Sequence, residues 1–232
     1  MRHLVIGMGE IGSSMKRVLE GYYEVEGIDK DTVAEGKFGT LHVSFPYFDG
    51  FIKAVNDYAE KYAEDDGLII IHSTVPVGTT DLIQGAVHSP VRGVHPNLEG
   101  GIRTFIKYFG GSRAHLAAEV FEAVGVKCRI IKDARNTEAL KLWSTTYYGH
   151  NIIFEKALWD YCEKHGLDFD FVYKDANLTY NTGYKELGRE DVLRPVLRHM
   201  DGQIGGHCVL PNAKLLGDED IALFLLNQNE KQ

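Results

Sequence analysis

The sequence predicts a doubly wound α/β sheet domain over 1–133, followed by an all-helical part over 134–232. Three observations lead there. Short apolar runs alternate with amphipathic stretches through the first part, the rhythm of a parallel sheet covered by helices on both faces. Leu68-Ile69-Ile70-Ile71 is apolar at every position, as a strand buried on both sides requires. Beyond Asp133 strand signals stop, and Leu140, Trp143, Tyr147, Phe154, Leu158 and Tyr161 recur at helical spacings.

In chain order, strands are expected over 3–6, 23–28, 41–45 (stopped by Pro46) and 68–72, then over 91–95, 105–109 and 128–131. Helices are expected over 11–20, 51–64 and 114–123; in the second, Phe51, Ile52, Val55, Tyr58, Ala59 and Tyr62 share one face. The proline-free stretch 136–164 reads as one helix, about 45 Å long at 1.5 Å per residue, with Gly149 its only weak point. A helix of that length suits a link between domains or a subunit interface, and a homodimer is expected through it. Shorter helices over 170–178 and 191–199 precede the turn Asp201-Gly202-Gln203-Ile204-Gly205-Gly206-His207-Cys208, and a last helix runs over 218–226.

Composition narrows the function. The 232 residues hold 25 Lys+Arg against 33 Asp+Glu, a formal charge of -8, and no basic patch, so nucleic acid and anionic membranes are not expected partners. Hydrophobic residues at 44% are a globular share, and no apolar run approaches the roughly 18–20 residues that span a bilayer. The first residues are too short an apolar run for a signal peptide. Three widely spaced cysteines, Cys128, Cys162 and Cys208, argue for a reducing compartment, the cytoplasm. No metal site is expected.

The chemistry begins at Gly7-Met8-Gly9-Glu10-Ile11-Gly12, between the first strand and the first helix. Gly7 permits a tight turn, Gly9 lets the backbone approach a pyrophosphate, and Gly12 allows close helix–strand packing. The N–H groups of the helix start then hold the anion. Asp29 lies at the end of the second strand, where a carboxylate accepts both ribose hydroxyls of an adenosine and repels a 2′-phosphate, which favours NAD over NADP. Lys30, beside it, and Pro46, which ends the third strand, are further candidates for contact with the cofactor.

Three further segments suggest a reaction. Ser73 and Thr74, after strand 68–72, carry hydroxyls where a nicotinamide or substrate would lie, and Thr79 or Thr80 would cap a helix. Glu138, Lys141 and Thr145 open the long helix; Lys141 and Thr145 share a face, and an ammonium there can deprotonate an alcohol or hold an alkoxide. In Gly205-Gly206-His207-Cys208 a thiol follows two glycines, and His207 or the following helix start would raise its thiolate fraction.

Together these segments resemble the UDP-glucose/GDP-mannose dehydrogenase family, and Gly205-Gly206-His207-Cys208 is similar to the nucleophile loop of its UDP-N-acetylmannosamine branch. The resemblance covers 1–216. It implies a Rossmann-type NAD domain and a dehydrogenase that oxidises a sugar C6 alcohol to a carboxylate. In that reading Cys208 is the nucleophile, Lys141 stabilises the oxyanion, Thr74 holds water or the nicotinamide, and Glu99 assists hydrolysis. Two positions depart from the family pattern: Thr145 stands where the family has Asn, and Asn212 where it has Asp, so the residue that activates water is here an amide. The family continues into a second α/β domain for the nucleotide, and this chain ends before it. The lysine-bearing helix also resembles the 6-phosphogluconate and 3-hydroxyisobutyrate dehydrogenases, in which Lys141 would be the base of a two-electron oxidation and Cys208 incidental. A third reading is a relative that binds NAD without chemistry.

Overall fold

The structure is a computed structural model in which residues 1–206 and 208–231 are described. The chain forms two compact units, Met1–Lys141 and Leu142–Gln232.

The first unit is built on one seven-stranded sheet: β1 (Arg2–Ile6), β2 (Glu24–Ile28), β3 (Phe38–Val43), β4 (Ala63–Ile71), β5 (Val87–His88), β6 (Lys107–Gly110) and β7 (Cys128–Ile131), in the order β2-β1-β3-β4-β5-β6-β7. Strands β1 to β5 are parallel neighbours, with Val5 opposite His42 and His42 opposite Ile70. The sheet is not wholly parallel, however: β6 runs antiparallel to β5 through His88 and Gly110, and β7 follows β6 in parallel. Helix α2 (Phe51–Tyr62) packs on one face, where Val43, Phe51, Val55, Ile69 and Ile71 form a buried cluster. Helices α1 (Glu10–Leu19), α3 (Leu98–Thr104) and α4 (Ala114–Glu122) cover the other, closing Met15, Leu19, Ile70, Ile102, Phe109 and Phe121 into the largest cluster.

Several boundaries differ from expectation. Helix α2 stops at Tyr62, and Ala63 turns extended (φ -75°, ψ 143°), so β4 takes in Ala63, Glu64, Asp65 and Asp66. These acids suit a helix as well as an exposed strand end, and pairing of Ala63 with Phe38 decides between them. No strand forms over 91–95. Pro90 and Pro96 flank the segment, and Val94 makes only an isolated bridge to Asn97; the strand lies earlier, at β5. Helix α3 was not foreseen, because Gly100 and Gly101 disguise it.

The long helix α5 (Ala134–His165) is continuous through Gly149. Within the second unit, a π-helical turn at Asp170–Asp175 runs into α6 (Ala176–Glu186). The helix expected over 191–199 is instead a single 3-10 turn, Glu190–Val192, followed by irregular chain. Pro195 removes a donor, and side chains supply the bonds: Asn181 accepts from the Arg194 N–H and donates to its carbonyl, while Tyr173 accepts from the Leu197 N–H. The helix start anticipated after Cys208 is α7 (Val209–Lys214), and α8 is Asp220–Asn229. Val209, Ala213, Ala222 and Leu225 pack with Ile153 and Ile204. A Cβ on Gly149 would lie 2.6 Å from Val209 and 2.7 Å from Leu225, so the glycine makes room for α7 and α8. No helix of the described residues is long and apolar enough to cross a membrane.

Candidate functional site

The glycine loop has the geometry its sequence implies. Gly7 takes φ +93° and is buried against Phe45, whose backbone N would stand 2.7 Å from an added Cβ. At Gly12 a Cβ would fall 1.9 Å from the Gly7 carbonyl oxygen, so a side chain would force α1 off the loop. Around Gly9 the space is open: a Cβ would meet nothing within 4 Å. Gly9 is also the N-cap of α1 and offers no capping side chain, which leaves first-turn N–H groups for an anion. Asp29 follows β2 and accepts from the Met8 N–H at 3.2 Å, joining loop and acid. Met8 in turn lies over Gly27, where a Cβ would come within 2.4 Å of its sulfur. Asp29, Lys30 and Pro46 are exposed, and Ile11 is partly buried against the core. Glu10, in the first turn of α1, is held by the His95 Nδ1 at 2.5 Å. Tight turn, open cradle, uncapped helix start and ribose-side acid together fit a dinucleotide.

Past β4 the two hydroxyls part ways. Ser73 is buried and donates to the Phe45 carbonyl at 2.6 Å, tying the end of β4 to the chain after β3, whereas Thr74 is half-buried. The expected helix capping by Thr79 and Thr80 does not occur. Thr79 donates back to the Pro76 carbonyl, and Thr80 donates to Glu138 at 2.6 Å. Glu138 is fully buried and accepts also from the N–H groups of Gly78 and Thr80, so it clamps the loop after β4 onto α5. Nothing in the sequence marked it for that role beyond its place at the start of a long helix. Thr137 does similar service, bonded to His88 on β5.

Lys141 is half-buried, and its ammonium donates to the Val91 carbonyl at 2.7 Å. Glu99 lies in the first turn of α3, where its carboxylate takes Arg103 on one oxygen and Arg17 on the other, both at 3.1 Å. Those hydrogen bonds, Arg103 first, hold its carboxyl below the usual range.

In the second unit Cys208 is half-buried at the N-cap position of α7, and its carbonyl accepts from the Asn212 N–H. His207, expected to influence the thiol, lies outside the described residues. Asn212 is buried, and its amide donates to the Thr145 hydroxyl at 3.1 Å; Thr145 donates to the Leu142 carbonyl. The two positions at which this chain departs from the nucleotide-sugar pattern are thus bonded to each other. A threonine oxygen accepts what an amide can donate and a carboxylate cannot.

Fold and loop define a class: a Rossmann-type unit with a glycine-rich first loop, continued through one long helix into a helical unit. No family model matches the chain. The chain is similar in sequence to nucleotide-sugar dehydrogenases, being 27% identical over 162 residues to the UDP-N-acetyl-D-mannosamine dehydrogenase of Methanocaldococcus jannaschii, a match covering 65% of this chain and 35% of that protein. The match thus spans about a third of the length of that curated relative. In fold it is similar to the UDP-D-ManNAc dehydrogenase of Pyrococcus horikoshii (TM-score 0.79, 20% identity, 100% of this chain and 68% of that one). It is similar too to the 3-hydroxyisobutyrate dehydrogenase of Mycobacterium tuberculosis (TM-score 0.71, 16% identity, 99% of this chain and 92% of that one).

Proposed function

We propose that this chain is an NAD-dependent dehydrogenase of nucleotide-sugar type that oxidises a primary alcohol of a sugar or sugar nucleotide, acting in the cytoplasm as a homodimer. The observation that carries the reading is the glycine loop bonded through Met8 to Asp29, together with the sequence likeness to a UDP-N-acetyl-D-mannosamine dehydrogenase. NAD bound there supplies the hydride acceptor. The N–H groups at the start of α1 would hold its pyrophosphate, Asp29 its ribose hydroxyls, and Ser73 and Thr74 would border its nicotinamide end.

In this reading Lys141 receives or steadies the alcohol proton and holds the oxyanion. The Cys208 thiolate attacks the aldehyde carbon left by the first hydride transfer, forming a C–S bond. Cys208 would hold that carbon through a second two-electron oxidation, whose acceptor NAD would supply, and water would then release the carboxylate and return the thiol. Asn212, an amide held by Thr145, orients the water without taking its proton. Glu99 assists hydrolysis only on release of a guanidinium. The homodimer reading rests on the aromatic residues that α5 leaves exposed, Trp143, Tyr147, Phe154 and Tyr161 among them.

A second reading, favoured by the amide at Asn212 and by the hydroxyacid-dehydrogenase likeness, is a two-electron oxidation with Lys141 as base. Counting NADH per molecule of UDP-N-acetyl-D-mannosamine consumed, with mass spectrometry of Cys208, separates them. Two NADH and a covalent adduct support the first reading; one NADH and full turnover by Cys208→Ser support the second. NAD binding without turnover over a panel of sugar nucleotides and hydroxyacids leaves a binding protein, and loss of NAD binding in Gly12→Ala checks the cradle itself.

A further inference from the structure

Beneath the α1/α4 face of the sheet, among apolar side chains, lies a line of nitrogen atoms that the dehydrogenase reading does not use. His3 on β1, His42 on β3 and His72 just past β4 step diagonally across three neighbouring strands, and each is at most 1% exposed. His3 Nδ1 is 3.0 Å from His42 Nε2, and His42 Nδ1 is 3.0 Å from His72 Nε2. His72 Nδ1 is 3.0 Å from the Ser89 carbonyl. The Lys107 amine, at the start of β6, completes the line, 3.3 Å from that same carbonyl and 3.4 Å from His72 Nδ1. His3 Nε2 closes the far end with no hydrogen-bond partner among the described residues.

We propose that Lys107 and the three imidazoles form one proton string, in which the charge of Lys107 sets the tautomer of every ring. A neutral imidazole has one donor and one acceptor nitrogen, so each link dictates the next. When Lys107 is an amine, His72 Nδ1–H donates to Ser89; His72 Nε2 must then accept from His42 Nδ1–H, and His42 Nε2 from His3 Nδ1–H. When Lys107 is an ammonium, it donates to both Ser89 and His72 Nδ1. The string then reverses, and all three rings carry their proton on Nε2. Passing from the second state to the first, Lys107 gives a proton to His72 Nδ1, His72 Nε2 gives one to His42 Nδ1, His42 Nε2 gives one to His3 Nδ1, and the buried His3 Nε2 gives one up to water on local opening of the fold. Lysine ends with one proton fewer and each ring with as many as before.

The surroundings place the switch in an accessible range. Burial is the main force that brings Lys107 down to about 7; Lys141 and Arg92 add to it and Cys128 opposes it. Phe109 and Phe121 supply only ring faces, and His72 is its near neighbour. Burial likewise keeps His42 and His72 neutral, helped by Lys107, and brings His3 down to about 4, helped by the chain's amino terminus. Tyr23 lies against the His3 ring, and His88 also bears on His72. His72 is followed in the chain by Ser73, whose carbonyl accepts from His88 Nε2.

Nitrogen-15 spectra of histidine-labelled protein test this, since protonated and bare ring nitrogens are distinguishable. Titrated from about pH 6 to about pH 8.5, His3, His42 and His72 are expected to convert from Nε2–H to Nδ1–H with one shared midpoint. Lys107→Met is expected to abolish the conversion and hold all three as Nδ1–H. His42→Phe is expected to leave the conversion of His72 and remove that of His3. Rings that keep fixed tautomers in the unmodified protein, or that convert at separate midpoints, would overturn the proposal even if neither variant folds. So would a conversion that survives Lys107→Met.

Discussion

The two faces of the central sheet are made from the same strands by opposite means. On the α2 side, Val43, Ile69 and Ile71 meet Phe51 and Val55 in a buried apolar cluster. On the α1/α4 side, Ile70, Phe109 and Phe121 surround His42, His72 and Lys107, whose polar atoms are bonded to one another. Strand alternation produces the contrast: in β3, His42 and Val43 point to opposite faces, as do Ile71 and His72 at the end of β4. An apolar face gains from area alone and ignores pH. A buried polar line loses stability as its groups become charged, which makes that side of the domain sensitive to protons.

The largest test of that contrast is acid. His3, His42 and His72 are held by burial below the usual imidazole range, His3 at about 4, so unfolding takes up protons as pH falls below about 6.5. The unfolded state binds more protons there, and stability must drop as pH drops, by about 1.4 kcal/mol per unit for each ring and roughly 4 for three. Denaturant melts in steps from neutrality downward measure it, and His42→Phe should shallow the slope. Next in size, Phe51→Ala should cost about 3–5 kcal/mol with a loss that stays the same at every pH. Smaller per unit is the rise on the alkaline side. The Lys107 ammonium is disfavoured in the folded state, so from pH 7 toward 10.5 stability should climb by about 1.4 kcal/mol per unit and level off in Lys107→Met. Smallest is Lys53→Ala: its ion pair with Asp57 on the outer surface of α2 is exposed, and its loss should leave the melting midpoint where it was.

Much of the first unit was legible in its sequence, because its signals are local. Leu68-Ile69-Ile70-Ile71 announces a doubly buried strand, and Gly7, Gly9, Gly12 and Asp29 sit at spacings whose geometry follows from steric need. What escaped depends on partners distant in the chain. Val87-His88 becomes a strand because Ile70 and Ile71 pair with it, and the reversed β6 is set by Gly110 meeting His88. The histidine line was invisible because no spacing links residues 3, 42, 72 and 107 until the register of four strands is known. At the candidate site, Lys141, Cys208, Thr145 and Asn212 could be named from sequence, but that Thr145 and Asn212 bond each other could not.

Gly149 gives the helical unit an inverted rule of tolerance. In a lone 32-residue helix, glycine to alanine is a gain of about 1 kcal/mol. Here the added methyl would wedge against Val209 and Leu225, and the nearer of these adjoins Cys208. A change that stiffens the rod would therefore push on the very turn that carries the thiol.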